Sequence, residues 1–317
     1  MTSRGELENF LSSQHRRFLR EIQRARTANK RYTLTADDVL EMKFLADKYE
    51  ENPLSTGIAF WDELVGPLRR GDVYLLCGYA GTGKSTLAVQ VGWAIAQQKR
   101  KVWFYCLELR PHQSFEMVAG HIVGNAEPTR EDIILANTKL FHSGLRFYDS
   151  RDHETWQKHL EIIPKEVEEE AYELIIIDNF HYLTRVERNV YEVEGVVSQR
   201  LKALAMSMNI PVIVLHHLRK AEGDHGEPDP TMHSIRGAGA LVNDASGVLI
   251  LHHPLSGEDE DSERHVVGKL RLVKNRWGKG GKRCVRLDGA KRLYSAAAWD
   301  EYPHKNNGRG KGRRMME

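Results

Sequence analysis

Cysteine is scarce in this chain. The three residues, Cys77, Cys106 and Cys284, lie far apart and form no metal-ligand spacing. That argues against a disulfide-stapled secreted scaffold and against a zinc ribbon. Cys77 and Cys106 fall in apolar runs and read as reduced core residues of a cytosol-like compartment. No apolar stretch reaches the length of about 18 residues that a membrane-spanning helix needs. No H-E-x-x-H pair, internal repeat or long low-complexity tract occurs. A strong overall charge is missing too: the net charge is +2, so the molecule as a whole is not a polycation.

The charge is uneven, however. Residues 1–32 hold Arg4, Arg16, Arg17, Arg20, Arg24, Arg26, Lys30 and Arg31 against Glu6, Glu8 and Glu21. The tail after Pro303 reads HKNNGRGKGRRMME. Basic, core-poor ends of this kind suit a polyanionic partner or a solvated end. The arginine-rich start resembles a transit peptide only superficially, because of its glutamates and its lack of serine richness.

The most informative stretch is Gly78-Tyr79-Ala80-Gly81-Thr82-Gly83-Lys84-Ser85. It fits G-x-x-x-x-G-K-[ST], follows the apolar run VYLLC and opens a helical pattern that includes Thr86. Glycines let successive backbone N–H groups turn toward one point, and a helix start adds partial positive charge there. Gly78, Gly81, Thr82, Gly83, Lys84, Ser85 and Thr86 are therefore the expected nucleotide-binding residues. Lys84 would reach the phosphates and Ser85 would hold Mg²⁺.

Strands are expected at 73–77, 102–107, 174–177, 211–215, 248–252 and 266–273. Helices are expected at 84–97, 112–123, 154–170 and 190–208. This alternation predicts an α/β fold: a mostly parallel twisted sheet with helices on both faces. A further helix over 35–50, opened by Thr35 and stopped before Pro53, gives a short helical N-terminal extension. The expected organisation is a basic arm and linker helix over 1–50, a core over 51–300 and a basic flexible tail over 301–317. NRWGKGGK (275–282) reads as a glycine-rich hairpin turn.

In open α/β sheets, ligands bind beyond the carboxyl ends of the strands. Here apolar runs end at Glu108, at Asp178 and at His216-His217. Asp178 suits Mg²⁺, directly or through water. Glu108 suits a base that orients attacking water. A histidine near the terminal phosphate could report its presence. Lys274 and Arg276 at a strand end could present cations to a neighbouring subunit's nucleotide. SIRGAGAL (234–241) is a small-residue loop whose glycines allow close approach to phosphates.

At this point the residues resemble a known family. STGIAFWDEL, GYAGTGKS, YCLELRP, LIIIDNFHYL, VIVLHHLRK, SIRGAGAL and KNRWG occur in that order between Ser55 and Asp288. Together they resemble the ring-shaped superfamily 4 helicases, which have a RecA-like core. The likeness is nearest to the helicase half of phage primase–helicases and Twinkle, then to DnaB. The resemblance implies Glu108 as catalytic base, Asp178 as metal carboxylate, His217 as γ-phosphate sensor, and Arg276 with Lys274 as a finger acting across the subunit interface. It implies DNA contacts from Arg236, Gly237 and Gly239 in a central-channel loop, and from Arg185 and Arg188.

The expected activity is ATP-dependent (or other NTP- or dNTP-dependent) unwinding of DNA during replication, with Mg²⁺. The expected assembly is a homo-oligomer, a hexameric ring on single-stranded DNA. A primase, polymerase or loader would be its partner, in the cytoplasm of a prokaryotic or phage-infected cell and away from membranes. Two alternatives share the fold: a RecA-like single-strand-binding or annealing ATPase, and a nuclease acting at DNA ends through its histidines and a metal. No primase, zinc-binding region or DnaB-type N-terminal domain is expected ahead of the core, and helix 35–50 sits where the family has a linker helix docking on the adjacent subunit. Deleting residues 1–50 should therefore weaken assembly on a sizing column; an unchanged oligomer would remove this role.

Overall fold

The computed structural model describes residues 53–148, 155–184, 190–219, 229–235, 239–253 and 265–302, preceded by four helical positions at 36, 39, 40 and 43. Most of the expected extension, the basic tail, and Arg185, Arg188, Arg236 and Gly237 lie outside these residues.

Among the described residues, nine strands form one sheet. In chain order they are β1 (Val73–Gly78), β2 (Val102–Cys106), β3 (Leu145–Phe147), β4 (Leu174–Asp178), β5 (Val212–His217), β6 (Gly247–His252), β7 (His265–Asn275), β8 (Gly281–Asp288) and β9 (Leu293–Ala296). Their spatial order is β3-β2-β4-β5-β1-β6-β7-β8-β9. The strands from β3 to β6 run parallel, and β7, β8 and β9 continue the sheet antiparallel. The helices are α1 (Ala59–Val65), α2 (Lys84–Gln97), α3 (Pro111–Val123), α4 (Arg130–Phe141), α5 (Trp156–Glu170), α6 (His181–Thr184), α7 (Val190–Met208) and α8 (Gly239–Asp244).

The strand period of two sorts the apolar residues into two cores. On one face Tyr74, Leu76, Ile176, Ile213 and Leu249 pack with Trp61 of α1, Leu87 and Val91 of α2, and Tyr294 of β9. On the other, Val73, Leu75, Ile175, Val214 and Ile250 pack with Ile163 of α5, Val197 and Leu201 of α7, and Leu241 of α8. Both faces are covered, which is why the central strands read as unbroken apolar runs. Ahead of the sheet, the Asp62 carboxylate in α1 gathers the Ser55-Thr56-Gly57 turn. It accepts from Thr56 N and Oγ1 at 3.0 and 2.8 Å and from Gly57 N at 2.8 Å.

The structure adds α1, α4, α6, α8, β3, β8 and β9 to the expected elements. Between β2 and β4 the chain makes α4 and the short β3. Thr129 and Asp132 cap α4 reciprocally, at 3.0 and 3.2 Å. Beyond the β7–β8 hairpin, β9 completes the sheet.

A buried carboxylate locks the edge formed by the parallel strands' N-terminal ends. Asp72 accepts from Lys202 Nζ (3.0 Å), Ser246 Oγ (2.5 Å) and the Trp277 indole N–H (2.5 Å). Lys202 also donates to the Gly71 carbonyl at 2.8 Å, and the Arg69 guanidinium lies 4.8 Å over the Trp277 ring. One side chain thus ties α7, β6 and the β7–β8 turn together. Asp72→Ala should leave Lys202 largely buried without its counter-charge and cost about 3–5 kcal/mol. Urea denaturation measures this; a loss below ~1 kcal/mol would mean that the turn is held by other contacts.

Candidate nucleotide site

β1 delivers the chain to the opposite edge of the sheet. There residues 79–83 form a loop and α2 begins at Lys84. Gly81 and Gly83 have φ of +78° and +74°, in the left-handed region where glycine is at ease. A Cβ at Gly78 would lie 2.6 Å from Thr82 Oγ1, and one at Gly83 would lie 2.5 Å from Tyr294 Oη. The loop is folded on itself: Thr82 Oγ1 and Lys84 Nζ both donate to the Tyr79 carbonyl, at 2.8 and 2.6 Å. Lys84 is only 6% exposed. Burial pulls its pKa down, while Asp178, Cys77 and Glu108 push it up.

Asp178 ends β4, one strand away from the loop across β5, and is buried. Burial raises its pKa to about 6; the hydrogen bond from Ser85 lowers it, the Glu108 charge raises it and Lys84 lowers it. Thr86 follows Ser85 on the first turn of α2, half-buried. Glu108 follows β2. Asn179, joined to Asp178 by a cis peptide, donates its amide to Glu108 Oε2 at 2.7 Å and lies 3.1 Å from His217 Nε2 at the end of β5. His216 turns the other way: it is buried beside Phe180, and its Nδ1 accepts from the His217 backbone N–H at 2.7 Å. The structure therefore gathers Lys84, Ser85, Asp178, Glu108 and His217 at one sheet edge. Of the adjacent histidines, His217 is the one at the site.

A second support comes from the antiparallel extension. The Tyr294 hydroxyl donates to the Thr82 carbonyl at 2.8 Å and meets His253 Nε2 at 3.0 Å. Its backbone N and O pair with the Gln90 amide on α2 at 2.8 and 2.9 Å. Burial lowers the His253 pKa to about 4 and raises that of Tyr294. Tyr294, Gln90 and His253 lie outside the quoted motifs, and Asn179 lies within LIIIDNFHYL without a role assigned to it there. Only Asn179 had a readable signal, as a second polar residue directly after an apolar run. His252 faces Asp229, at 3.9 Å.

Lys274 and Arg276 are not brought to this edge. Gly247 pairs with Asn275, and Tyr74 with Gly247, so they sit where β1 begins. Lys274 Nζ donates to the Val242 and Asn243 carbonyls at the end of α8, at 2.6 and 2.9 Å. Arg276 is exposed in the turn, its backbone N–H bonded to the Ser246 carbonyl at 2.8 Å. Gly239 opens α8, with nothing among the described residues within 4 Å of its Cβ position.

The raised pKa of Asp178 makes a stability statement. Below about pH 3 the carboxyl is largely protonated in both folded and unfolded chains. As pH rises toward 6, the unfolded chain gives up the proton first, so stability falls. By neutral pH this amounts to at most ~3 kcal/mol. Asp178→Asn should therefore stabilise the ligand-free protein at pH 7.5 and leave it nearly unchanged at about pH 3. Equal melting temperatures for the two proteins across this range would contradict the assignment.

Residues 53–294 match the family model for the DnaB-like helicase C terminal domain. The replicative DNA helicase DnaB of Mycoplasma genitalium is 24% identical over 249 residues, covering 72% of this chain and 53% of that protein. A probable plasmid replicative DNA helicase of Chlamydia psittaci is 25% identical over 245 residues, covering 71% and 51%. The chain spans about half the length of the curated relatives it matches. Among solved structures, an ATPase domain aligns with a TM-score of 0.70 at 15% identity, over 84% of this chain and all (100%) of that one. A DnaB-like replicative helicase, from a structure that describes its interactions with primase, aligns with a TM-score of 0.66 at 14% identity, over 84% and 68%. The fold is thus RecA-like, as the resemblance implied, with the mostly parallel sheet that the strand–helix alternation predicted. With the family match running from ahead of α1 into β9, the chain belongs to the DnaB-like helicase C-terminal domain family.

Proposed function

We propose that this chain is the motor of a ring-forming, NTP-dependent DNA helicase that translocates on single-stranded DNA in replication. The observation that carries the reading is the separation of two sheet edges. The phosphate loop, Asp178, Glu108 and His217 occupy one, and Arg276 the other, at either end of a six-residue strand. That is about 20 Å by strand geometry. Arg276 is too far to serve its own subunit's nucleotide and is exposed for a neighbour's.

The residues fit a magnesium-bound nucleoside triphosphate. The glycine cradle around residue 78 admits no Cβ, and the loop glycines adopt the positive φ that turns N–H groups inward. The loop is folded with Lys84 across its mouth, and the Ser85 hydroxyl is already bonded to the buried Asp178. Ser85 and Asp178 would hold Mg²⁺, directly or through water. Bound there, the ion supplies neutralisation of phosphate charge. Lys84 would contact the outer phosphates and Thr86 would support the loop. Glu108 would take the proton of the attacking water as its oxygen bonds to the terminal phosphorus. The bond to the bridging oxygen breaks, leaving a diphosphate and inorganic phosphate. His217 would sense the terminal phosphate. Arg276, from the adjacent subunit, would stabilise charge in the transition state, with Lys274 holding the α8 end beside it.

Arg236, Gly237 and Gly239 would grip the single-strand backbone, with Arg185 and Arg188 as a second contact. Binding would be salt-dependent and largely independent of sequence. The ring would be hexameric, work in the cytoplasm and meet a primase, polymerase or loader. The family match favours this over annealing or end-cleavage. Among the described residues, no group of three or more His, Cys, Asp or Glu side chains is arranged to hold a metal.

DNA-stimulated ATP hydrolysis of wild type, Lys84→Ala and Arg276→Ala, separately and mixed, tests the reading. Both variants should lose activity by about 10³-fold or more, and either should poison wild type on mixing. Full DNA-stimulated activity in Arg276→Ala would sink the shared site and leave a DNA-binding ATPase.

A further inference from the structure

Asn179 is 1% exposed and stands between two groups to which the proposed reaction gives separate tasks. Its Nδ2 is 2.7 Å from Glu108 Oε2 and 3.1 Å from His217 Nε2. The orientation of the amide follows from chemistry. An ionised carboxylate only accepts, so the group facing Glu108 must be the NH₂ end. Its Oδ1 points elsewhere, buried, with no hydrogen-bond partner among the described residues. The second N–H then faces His217 Nε2, which must be the acceptor, with the ring proton on Nδ1. A phosphate oxygen also only accepts. His217 Nε2 therefore cannot serve Asn179 and a terminal phosphate in the same tautomer.

We propose that Asn179 is a positioning residue that couples His217 to Glu108. One amide holds the imidazole in its accepting tautomer and orients the carboxylate. A terminal phosphate that engages His217 Nε2 displaces Asn179 from the ring and leaves the amide to Glu108 alone. Arrival of a triphosphate is thereby reported to the base, whereas a diphosphate, lacking the terminal group, leaves the bridge intact. This inference rests on the nucleotide reading of the site.

The coupling makes a prediction that runs against ordinary damage. Asn179→Ala removes a competitor for His217 and a support for Glu108. A non-hydrolysable β,γ-imido triphosphate should bind about threefold to tenfold tighter, the worth of one neutral hydrogen bond. ADP affinity should stay within about twofold on the same scale, and kcat should fall about tenfold or more from loss of positioning. In a His217→Ala background, the same substitution should leave the triphosphate-to-diphosphate affinity ratio unchanged. An unchanged ratio in the single variant, or equal weakening of both nucleotides, overturns the coupling. If Asn179→Ala does not fold, Asn179→Ser, which keeps one small donor, carries the same expectation at smaller size. Failure of wild type to bind either nucleotide would instead overturn the nucleotide site itself, and this inference with it.

Discussion

Everything at the functional edge depends on two opposite charges that the fold buries without fully compensating either. Lys84 and Asp178 attract each other, yet burial depresses the lysine and raises the aspartate. Desolvation outweighs their mutual attraction, as the cost of burying ions leads one to expect. A site in this condition has unspent affinity. An anion beside the ammonium and a cation beside the carboxylate would each relieve a cost already present in the folded chain. The rest of the architecture keeps the two groups from escaping to water: apolar strands lie beneath them, the loop closes over Lys84, and Ser85 holds the carboxylate.

The antiparallel strands secure that loop from outside the nucleotide-facing elements. Tyr294 is fixed from both ends, its backbone by Gln90 and its hydroxyl by the Thr82 carbonyl and His253. The tyrosine, not a phosphate, sets how close the strand comes, since a Cβ at Gly83 has no room beside its hydroxyl. At the far edge the Asp72 cluster does the equivalent work for the β7–β8 turn. The extension from β7 to β9 thus connects the two edges that the proposed ring would bring together between subunits.

Legibility in the sequence followed burial. The strands β1, β2, β4, β5 and β6 are covered on both faces, so each is a continuous apolar run, and the polar residue ending it marks the ligand edge. Glu108, Asp178 and His217 were readable for that reason. Helix α4 was not. It buries Ala136 and Leu140 but leaves Ile134, Leu135 and Phe141 exposed, so its apolar residues do not share one face. β3 has three residues, and β8 is mostly polar, GKRCVRLD, with a half-exposed surface. Tyr294 resembles any core tyrosine, because its meaning lies in a carbonyl far away in the chain. The pairing of His217 with Asn179 is likewise a fact of sheet order, which brings the ends of β4 and β5 side by side.

The bond between Tyr294 and Thr82 spans 212 residues. Such a contact closes late, because the entropy of joining distant segments must be met before the contact gives anything back. On the ribosome the phosphate loop would emerge early and wait, its glycines unsupported, until β9 had left the exit tunnel. The nucleotide site is therefore completed only once β9 has emerged, so a chain interrupted before β9 would lack the tyrosine that braces the loop.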